Sequence, residues 1–311
     1  MKRFGSSIVL VLVLGAVALA VVRSSAAVEP APEPPVQLAI RCDDVGMCHS
    51  VNTAIRKLIA TGVPFSASVM VACPWFLEAA EILRDQPQVS VGIHLTLNSE
   101  WEHYKWGPVL GRSRVPSLVD ENGHFHATEA DFAAGNPDLG EVEMELRAQI
   151  ERARRAGLRV DYLDYHMLTA VSTPELRTIV ERLAKDYGVG LAMYFDERSA
   201  SLWDTEPSEK LSTLLDIVGR LVPGRPTLLV MHLGLETPEM GALVDVNNPR
   251  DPYRVAQHRQ AELEALTSPA FRRAIAARGI ELVNYGEIVE QRGLAAMVRP
   301  QGAPGYSMDD R

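Results

Sequence analysis

The stretch LAIRCDDVGMCHS, Leu38 to Ser50, decides how the rest of the chain reads. Leu38 to Ile40 is an apolar run suited to a buried strand. Beyond Arg41 and Cys42 it ends on two adjacent carboxylates, Asp43 and Asp44. Gly46 allows a sharp turn, and CHSVNTAIRKLIATG then takes up a helical pattern. Like charges held close repel, and a buried acid is costly unless a cation or a metal ion faces it. Two acids at the end of a buried strand therefore point to a site rather than to packing.

Working outward, strand-like runs recur at 36–43, 66–72, 89–97, 161–166, 190–195, 227–233 and 280–284. Helical patterns fill the gaps at 49–61, 75–85, 139–156, 173–187, 207–221, 254–278 and 286–292. In EVEMELRAQIERARRAG, Val142, Leu146, Ile150 and Ala153 form an apolar stripe, and Gly157 supplies the stop. STPELRTIVERLAKDYG opens on a Ser/Thr cap, carries Pro174 near its first turn and ends at Gly188. Strand–helix alternation at this spacing implies an α/β fold with a parallel sheet. About seven such units favour a β/α barrel-like, distorted TIM-type domain over 36–295. A doubly wound open sheet is the alternative. Segment 98–138 is longer than a plain β/α connection, and it mixes Trp101, Tyr104 and Trp106 with polar groups. Such a loop is expected to carry function.

The chemistry collects at the C-terminal ends of the expected strands. The first ends on Asp43 and Asp44, the third on His94, the fourth on Asp164 and His166, and the sixth on His232. In β/α barrels that end is where active sites form. A single histidine in a strand usually packs or hydrogen-bonds, but here several strands deliver Asp or His together. Two imidazoles and one carboxylate make a divalent metal site with positions left open for water. Asp44 is assigned to the metal and Asp43 to proton transfer; the residue pattern alone would allow the two acids to exchange roles. His49 reads as a residue of a helix's first turn, His258 as part of a charged helical face, and His126 as a residue of the long loop. His103 and His124, in the long loop, are the better candidates for touching substrate.

The chain has 311 residues and a formal net charge of −9. Lys2 and Arg3 precede an apolar run from Ile8 to Val22, and Ser25-Ala26-Ala27 offers a small-residue cleavage site, so 1–27 reads as a secretory signal peptide. The run of about fifteen residues is short for a span of about 20; an uncleaved N-terminal membrane anchor is the alternative to a periplasmic or extracellular product. Removing the 27 residues takes away Lys2, Arg3 and Arg23 and leaves 284 residues with a net charge of −12. Residues 28–35 are a Pro-rich leader and 296–311 a tail. An acidic exterior argues against nucleic acid and anionic membrane surfaces as partners. Cys42, Cys48 and Cys73 are too few and odd in number for a disulfide framework, and read as buried thiols.

At these residues the sequence resembles the YdjC-like carbohydrate deacetylases. The matching pieces are CDDVGMCHSVNTAI, SASVMVACPWFLEA, VGIHLTL, VPSLVDENGHF, ELRAQIERA, VDYLDYHM and VMHLG, spread over about residues 36 to 290. The resemblance implies a β/α-barrel-like fold and an N-acetylated saccharide substrate. It implies a divalent ion (Zn, Mg, Co or Ni) held by Asp44, His94 and His166, with Asp43 as general base. It matches His232 to the family's late histidine, an acid or a substrate-positioning group. Three positions depart from the family pattern: Cys42 where Asn is frequent, Leu168 where a second His often follows, and His232-Leu233-Gly234 where His-Pro-Gly is usual. Leu168 bears on the substrate class. Asp164 would orient a ligand histidine or serve a structural pair, and Trp101, Tyr104 and Trp106 would stack on sugar or pack within the loop. Three rival readings stand beside this one: a metal-free glycosidase using Asp43 and Asp164, a metal-dependent hydrolase of another acyl or phosphate substrate, and an exported carbohydrate-binding protein without turnover.

Overall fold

Alternate residues of the central strands sort into two faces. On β1 (Gln37–Val45), Leu38, Ile40 and Cys42 join the large hydrophobic cluster under the helices, whereas Ala39 belongs to a separate small cluster. Because the strand period is two, Ala39, Arg41 and Asp43 share the inner face. The same alternation runs through β2 (Phe65–Val69), β3 (Val89–Leu95), β4 (Tyr162–Tyr165) and β7 (Thr227–Met231). Phe65, Ala67, Val91, Ile93, Leu163, Leu229 and Met231 face outward into the large cluster. That leaves Ser66, Ser68, Ser90, Gly92, Tyr162, Asp164, Leu228 and Val230 inside.

The computed structural model describes residues 34–248 and 251–301. The expected signal peptide, nearly all of the Pro-rich leader and the last part of the tail lie outside the described residues. Two further strands, β5 (Gly190–Leu191) and β6 (Arg198–Ser201), complete a parallel path β5-β4-β3-β2-β1-β7-β6, and β8 (Glu281–Val283) pairs with the start of β1. The path curls, and its ends β5 and β6 are not hydrogen-bonded to each other, so the architecture is a distorted parallel α/β barrel rather than a doubly wound sheet. The helices are α1 (His49–Ile59), α2 (Phe76–Arg84), α3 (Glu129–Ala134), α4 (Leu139–Arg155), α5 (Pro174–Tyr187), α6 (Lys210–Arg220), α7 (Pro238–Gly241), α8 (Val255–Thr267), α9 (Pro269–Ala277) and α10 (Tyr285–Arg292). Among the described residues no helix is long and apolar enough to cross a membrane.

Three expectations need correction. The helix expected over 254–278 is two, because Ser268 caps a new start by accepting from Phe271 N at 3.1 Å and Pro269 occupies the first turn. The strand expected over 190–195 ends at Leu191, as Met193 and Asp196 take left-handed backbone (φ 68° and 59°). β6, with the sequence RSAS, lacks an apolar run and gave no strand signal. Within 98–138 the chain forms α3, whose cap is Thr128. The three cysteines are buried free thiols, as expected.

Beneath the barrel, α10 caps the N-terminal strand ends. Tyr285 N and Gly286 N donate to the inward Ser66 and Ser90 hydroxyls, both at 2.9 Å. The Tyr285 ring stacks on Tyr162 with centroids 4.5 Å apart. Gly92 makes this plug fit: a Cβ there would lie 2.3 Å from the Tyr162 ring. The interior is therefore apolar and aromatic below and ionic above.

Candidate active site

The two acids of the opening stretch do both face the mouth, and the backbone explains how. Asp43 points inward by strand alternation. Asp44 adopts φ 62°, a left-handed conformation rare outside glycine, and the β1–β2 register shifts between Cys42 and Val45. The kink turns the second carboxylate to the same side as the first. Gly46 follows at φ 93°, its N–H donating to Asn52 Oδ1 at 2.9 Å, while Asn52 Nδ2 donates to Trp75 O and Glu78. The first residues of α1 thus lock the turn that aims Asp44.

His94 comes from the end of β3. Gln149 of α4 pairs reciprocally with the Thr96 backbone, at 3.0 and 2.8 Å, and fixes the chain just beyond it. His166 follows β4 and precedes two left-handed residues, Met167 and Leu168 (φ 49° and 63°). Asp44 Oδ1, His94 Nε2 and His166 Nδ1 converge: the oxygen lies 3.6 Å from the first nitrogen and 3.4 Å from the second. All three side chains are buried, and Asp44 Oδ1 accepts no hydrogen bond. A buried orphan carboxylate oxygen between two imidazole nitrogens fits a metal ion. Two bonds of about 2.0–2.2 Å at a tetrahedral angle set their ligand atoms roughly 3.4 Å apart. The protein therefore holds an Asp/His group able to bind a metal.

The far side of each of these groups is held. His166 Nε2 is 2.8 Å from Glu100 Oε2, and His94 Nδ1 is 3.1 Å from Asp164 Oδ2. Both imidazoles thus have a carboxylate beside the nitrogen turned away from the centre, hydrogen-bonded at His166, where such a bond fixes tautomer and ring orientation, and in ion-pair contact at His94. Asp44 Oδ2 accepts from Arg259 Nη2 of α8 at 2.5 Å. That guanidinium also lies over the Trp101 ring, 5.6 Å from its centroid. Gly234, in the VMHLG piece, leaves room for it, since a Cβ there would lie 3.0 Å from Arg259 Cβ. Asp43 is gripped by Arg41 through both oxygens, at 2.7 and 2.6 Å, and Arg41 Nε is also 3.1 Å from Asp164 Oδ2.

Burial alone would raise the carboxyl pKa values of Asp43 and Asp44. The guanidiniums outweigh it: Arg41, helped by His94, holds Asp43 below its ordinary value, and Arg259, helped by His166, holds Asp44 well below. Both acids are ionised at neutral pH. Burial lowers His94 and His166, but their carboxylates win. Asp164 and Asp43 raise His94, while Glu100 and Asp44 push His166 up to about 10. His232 goes the other way, lowered chiefly by burial, and is neutral at pH 7.

These residues floor a cavity of about 790 Å³ lined by Asp43, Asp44, His94, His166, His232 and Trp203, among others. Trp101 lines it too but is buried, with its indole N–H on Met47 Sδ at 3.1 Å. Trp106 is buried and donates to Asn98 O at 3.0 Å, and its ring packs edge-on near His166. Tyr104 likewise turns inward, its hydroxyl donating to Met47 O at 2.5 Å. His103 and His124 sit on the outside beside Glu102 and Asp120. Asp164 is fully buried and does not line the cavity. Sequence reasoning missed Glu100, Arg41 and Arg259. Arg41 had a signal, since it shares the inner face of β1 with Asp43. Glu100 and Arg259 had none, because only the tertiary fold brings them near.

A parallel barrel with a buried carboxylate–histidine centre at its C-terminal mouth defines the class of molecule. The YdjC-like protein family model matches residues 37–277, and the chain belongs to that family. A carbohydrate deacetylase of Geobacillus stearothermophilus is 29% identical over 262 residues, covering 80% of this chain and 96% of its own length. One from Enterococcus faecalis is 29% identical over 271 residues, covering 80% and 97%. A solved structure from Enterococcus faecalis V583, provisionally called a cellobiose-phosphate cleavage protein, superposes with a TM-score of 0.65 at 28% identity, over 82% of this chain and 99% of that one.

Proposed function

We propose that this chain is a metal-dependent hydrolase that removes acetyl groups from an N-acetylated sugar or oligosaccharide. The observation that carries the reading is the orphaned Asp44 Oδ1 facing His94 Nε2 and His166 Nδ1 in the cavity floor, beside a second ionised carboxylate. The relatives named carbohydrate deacetylases support the substrate class. A divalent ion held by Asp44, His94 and His166 would polarise the acetamide carbonyl and acidify a water. The N₂O donor set suits Zn, Co or Ni better than Mg, which prefers all-oxygen sites.

This chain's residues handle the protons. Asp43, ionised and held still by Arg41, takes the proton of the attacking water. The C–N bond then breaks, acetate forms, and the amine nitrogen needs one proton. His232 delivers it. Because His232 rests neutral, it must first gain that proton, and the one released to Asp43, a weak base with little hold on it, closes the balance. The glycosidase reading finds no support here, since Asp164 sits behind His94 without access to the cavity. The N-terminal export signal would place the reaction in the periplasm or outside the cell, which mass analysis of the mature N-terminus tests.

Acetate release from N-acetylglucosamine and short chitooligosaccharides, with chelator and after metal restoration, tests the function. Chelator-sensitive release rescued by a divalent ion is expected. No release from demonstrably metal-loaded protein would refute deacetylation of these sugars and favour another acyl substrate or a binding role. Asp43→Asn should abolish turnover and spare metal binding, whereas His94→Ala should abolish both. Full activity in Asp43→Asn would remove the base assignment.

A further inference from the structure

Among the described residues lining the cavity, Trp203 is the one aromatic left substantially exposed, at 46%. It follows β6, where its N–H donates to Ser201 Oγ at 3.0 Å. Its ring meets the His232 ring at 66°, with centroids 5.1 Å apart. An aromatic surface therefore stands directly beside the group assigned to the leaving amine. Ser201, Asp204, Thr205, Asp245 and Asn247 line the same cavity. An open aromatic face ringed by short hydroxyl, amide and carboxylate groups suits a pyranose, whose C–H face is apolar and whose hydroxyls seek acceptors.

Charge narrows the ligand further. The described lining residues include the carboxylates of Asp43, Asp44, Glu100, Asp204 and Asp245 and a single guanidinium, Arg259, which is already engaged by Asp44. No lysine is among them. One divalent ion on the floor would leave this lining net negative, and an anionic substituent would meet repulsion at the rim.

We propose that Trp203 forms a stacking subsite for an uncharged pyranose ring at the mouth of the cavity. The identity of the saccharide rests on the deacetylase reading; the stacking does not. The test uses metal-loaded full chain, N,N′-diacetylchitobiose and its 6-phosphate, with Trp203→Ala and Trp203→Phe. Binding is followed by calorimetry and tryptophan fluorescence, and acetate release in parallel. Trp203→Ala should weaken disaccharide binding about tenfold, with KM moving more than kcat, and Trp203→Phe should retain most of the affinity. The 6-phosphate should bind more weakly than the neutral sugar.

Acetate release with an unchanged KM in Trp203→Ala overturns the subsite and leaves the deacetylase standing. Trp203-dependent binding without acetate release upholds the subsite and overturns the deacetylase. Absence of any disaccharide binding overturns both, and tighter binding of the 6-phosphate overturns the preference for an uncharged ring. Trp203→Leu, which keeps apolar bulk without an aromatic face, makes the same comparison if the alanine variant does not fold.

Discussion

Replacing Asp164 by Asn probes the link between the barrel interior and the metal-binding group. Asp164 Oδ2 accepts from Ser68 Oγ at 2.8 Å and lies 3.1 Å from both Arg41 Nε and His94 Nδ1, while Oδ1 has no hydrogen-bond partner. Asn keeps an oxygen for these contacts but removes the charge. A hydrogen bond involving an ionised partner contributes about 1.5–3 kcal/mol and a neutral one about 0.5–1.5, so the Ser68 contact loses about 1 kcal/mol, while Arg41, itself charged, still has a charge-assisted partner in the amide oxygen. Arg41 retains Asp43, so no buried cation is stranded. The variant should fold, with its urea midpoint lowered accordingly. Its larger effect is on His94, which loses the carboxylate 3.1 Å from its Nδ1. Losing such a support typically costs 10–100-fold in metal affinity, about 1.4–2.7 kcal/mol. Calorimetric titration of Zn into chelator-stripped protein reads this directly. An affinity within about twofold of wild type, in a folded variant, would refute the claim that Asp164 orients His94 for a metal.

Arg259→Met removes the partner of a buried anion and should cost the chelated protein about 3–5 kcal/mol in urea denaturation; saturating metal should recover part of that loss by compensating Asp44, and equal losses with and without metal would contradict the shared site. The pH profile carries a sign. With the His166 pKa raised to about 10 in the fold, its protonated form contributes stability that is complete below the ordinary histidine value of about 6.5 and is lost as pH climbs towards about 10. Chelated protein should therefore weaken across that window while metal affinity rises, with protons released on binding; calorimetry in buffers of different ionisation enthalpy measures the release, and none at neutral pH would contradict it. Gly92→Ala, which drives a Cβ to 2.3 Å from the Tyr162 ring, should destabilise by about 1–3 kcal/mol through overpacking, read by thermal melting; a variant as stable as wild type would show that the plug is loose.

The sequence disclosed the parts of the fold whose periodicity is strong. β1, β3, β7, α4 and α5 lie within a few residues of expectation because alternation and caps mark them. β6 escaped because an edge strand that buries little needs no apolar run. Asp43, Asp44, His94, His166 and His232 were legible because barrel topology gathers strand ends, and the structure brings them to one cavity. Trp106 and Tyr104 follow the packing alternative, for their polar tips bond Asn98 O and Met47 O inside the fold. Trp203, which does stand open, gave no signal, since nothing in a sequence tells a buried indole from an exposed one. Leu168, the departure from the family pattern, lies at the cavity edge in left-handed backbone next to Met167.

Charge counting ties the site together. Around the centre stand four carboxylates, Asp43, Asp44, Asp164 and Glu100, and two guanidiniums, Arg41 and Arg259, all buried. Taken alone they leave two negative charges in a poorly solvated interior, which is costly. The raised pKa values of His94 and His166 show one way to cancel them, with two protons on the imidazoles. A divalent cation is the other, and the two exclude each other, because a ligating nitrogen cannot carry a proton. His232 takes no part in this balance, because burial keeps it neutral. The paired acids of Leu38 to Ser50 are thus tolerable for separate reasons. Arg41 neutralises Asp43 permanently, while Asp44, with Arg259 on one oxygen, keeps the other for the charge that exchanges with protons.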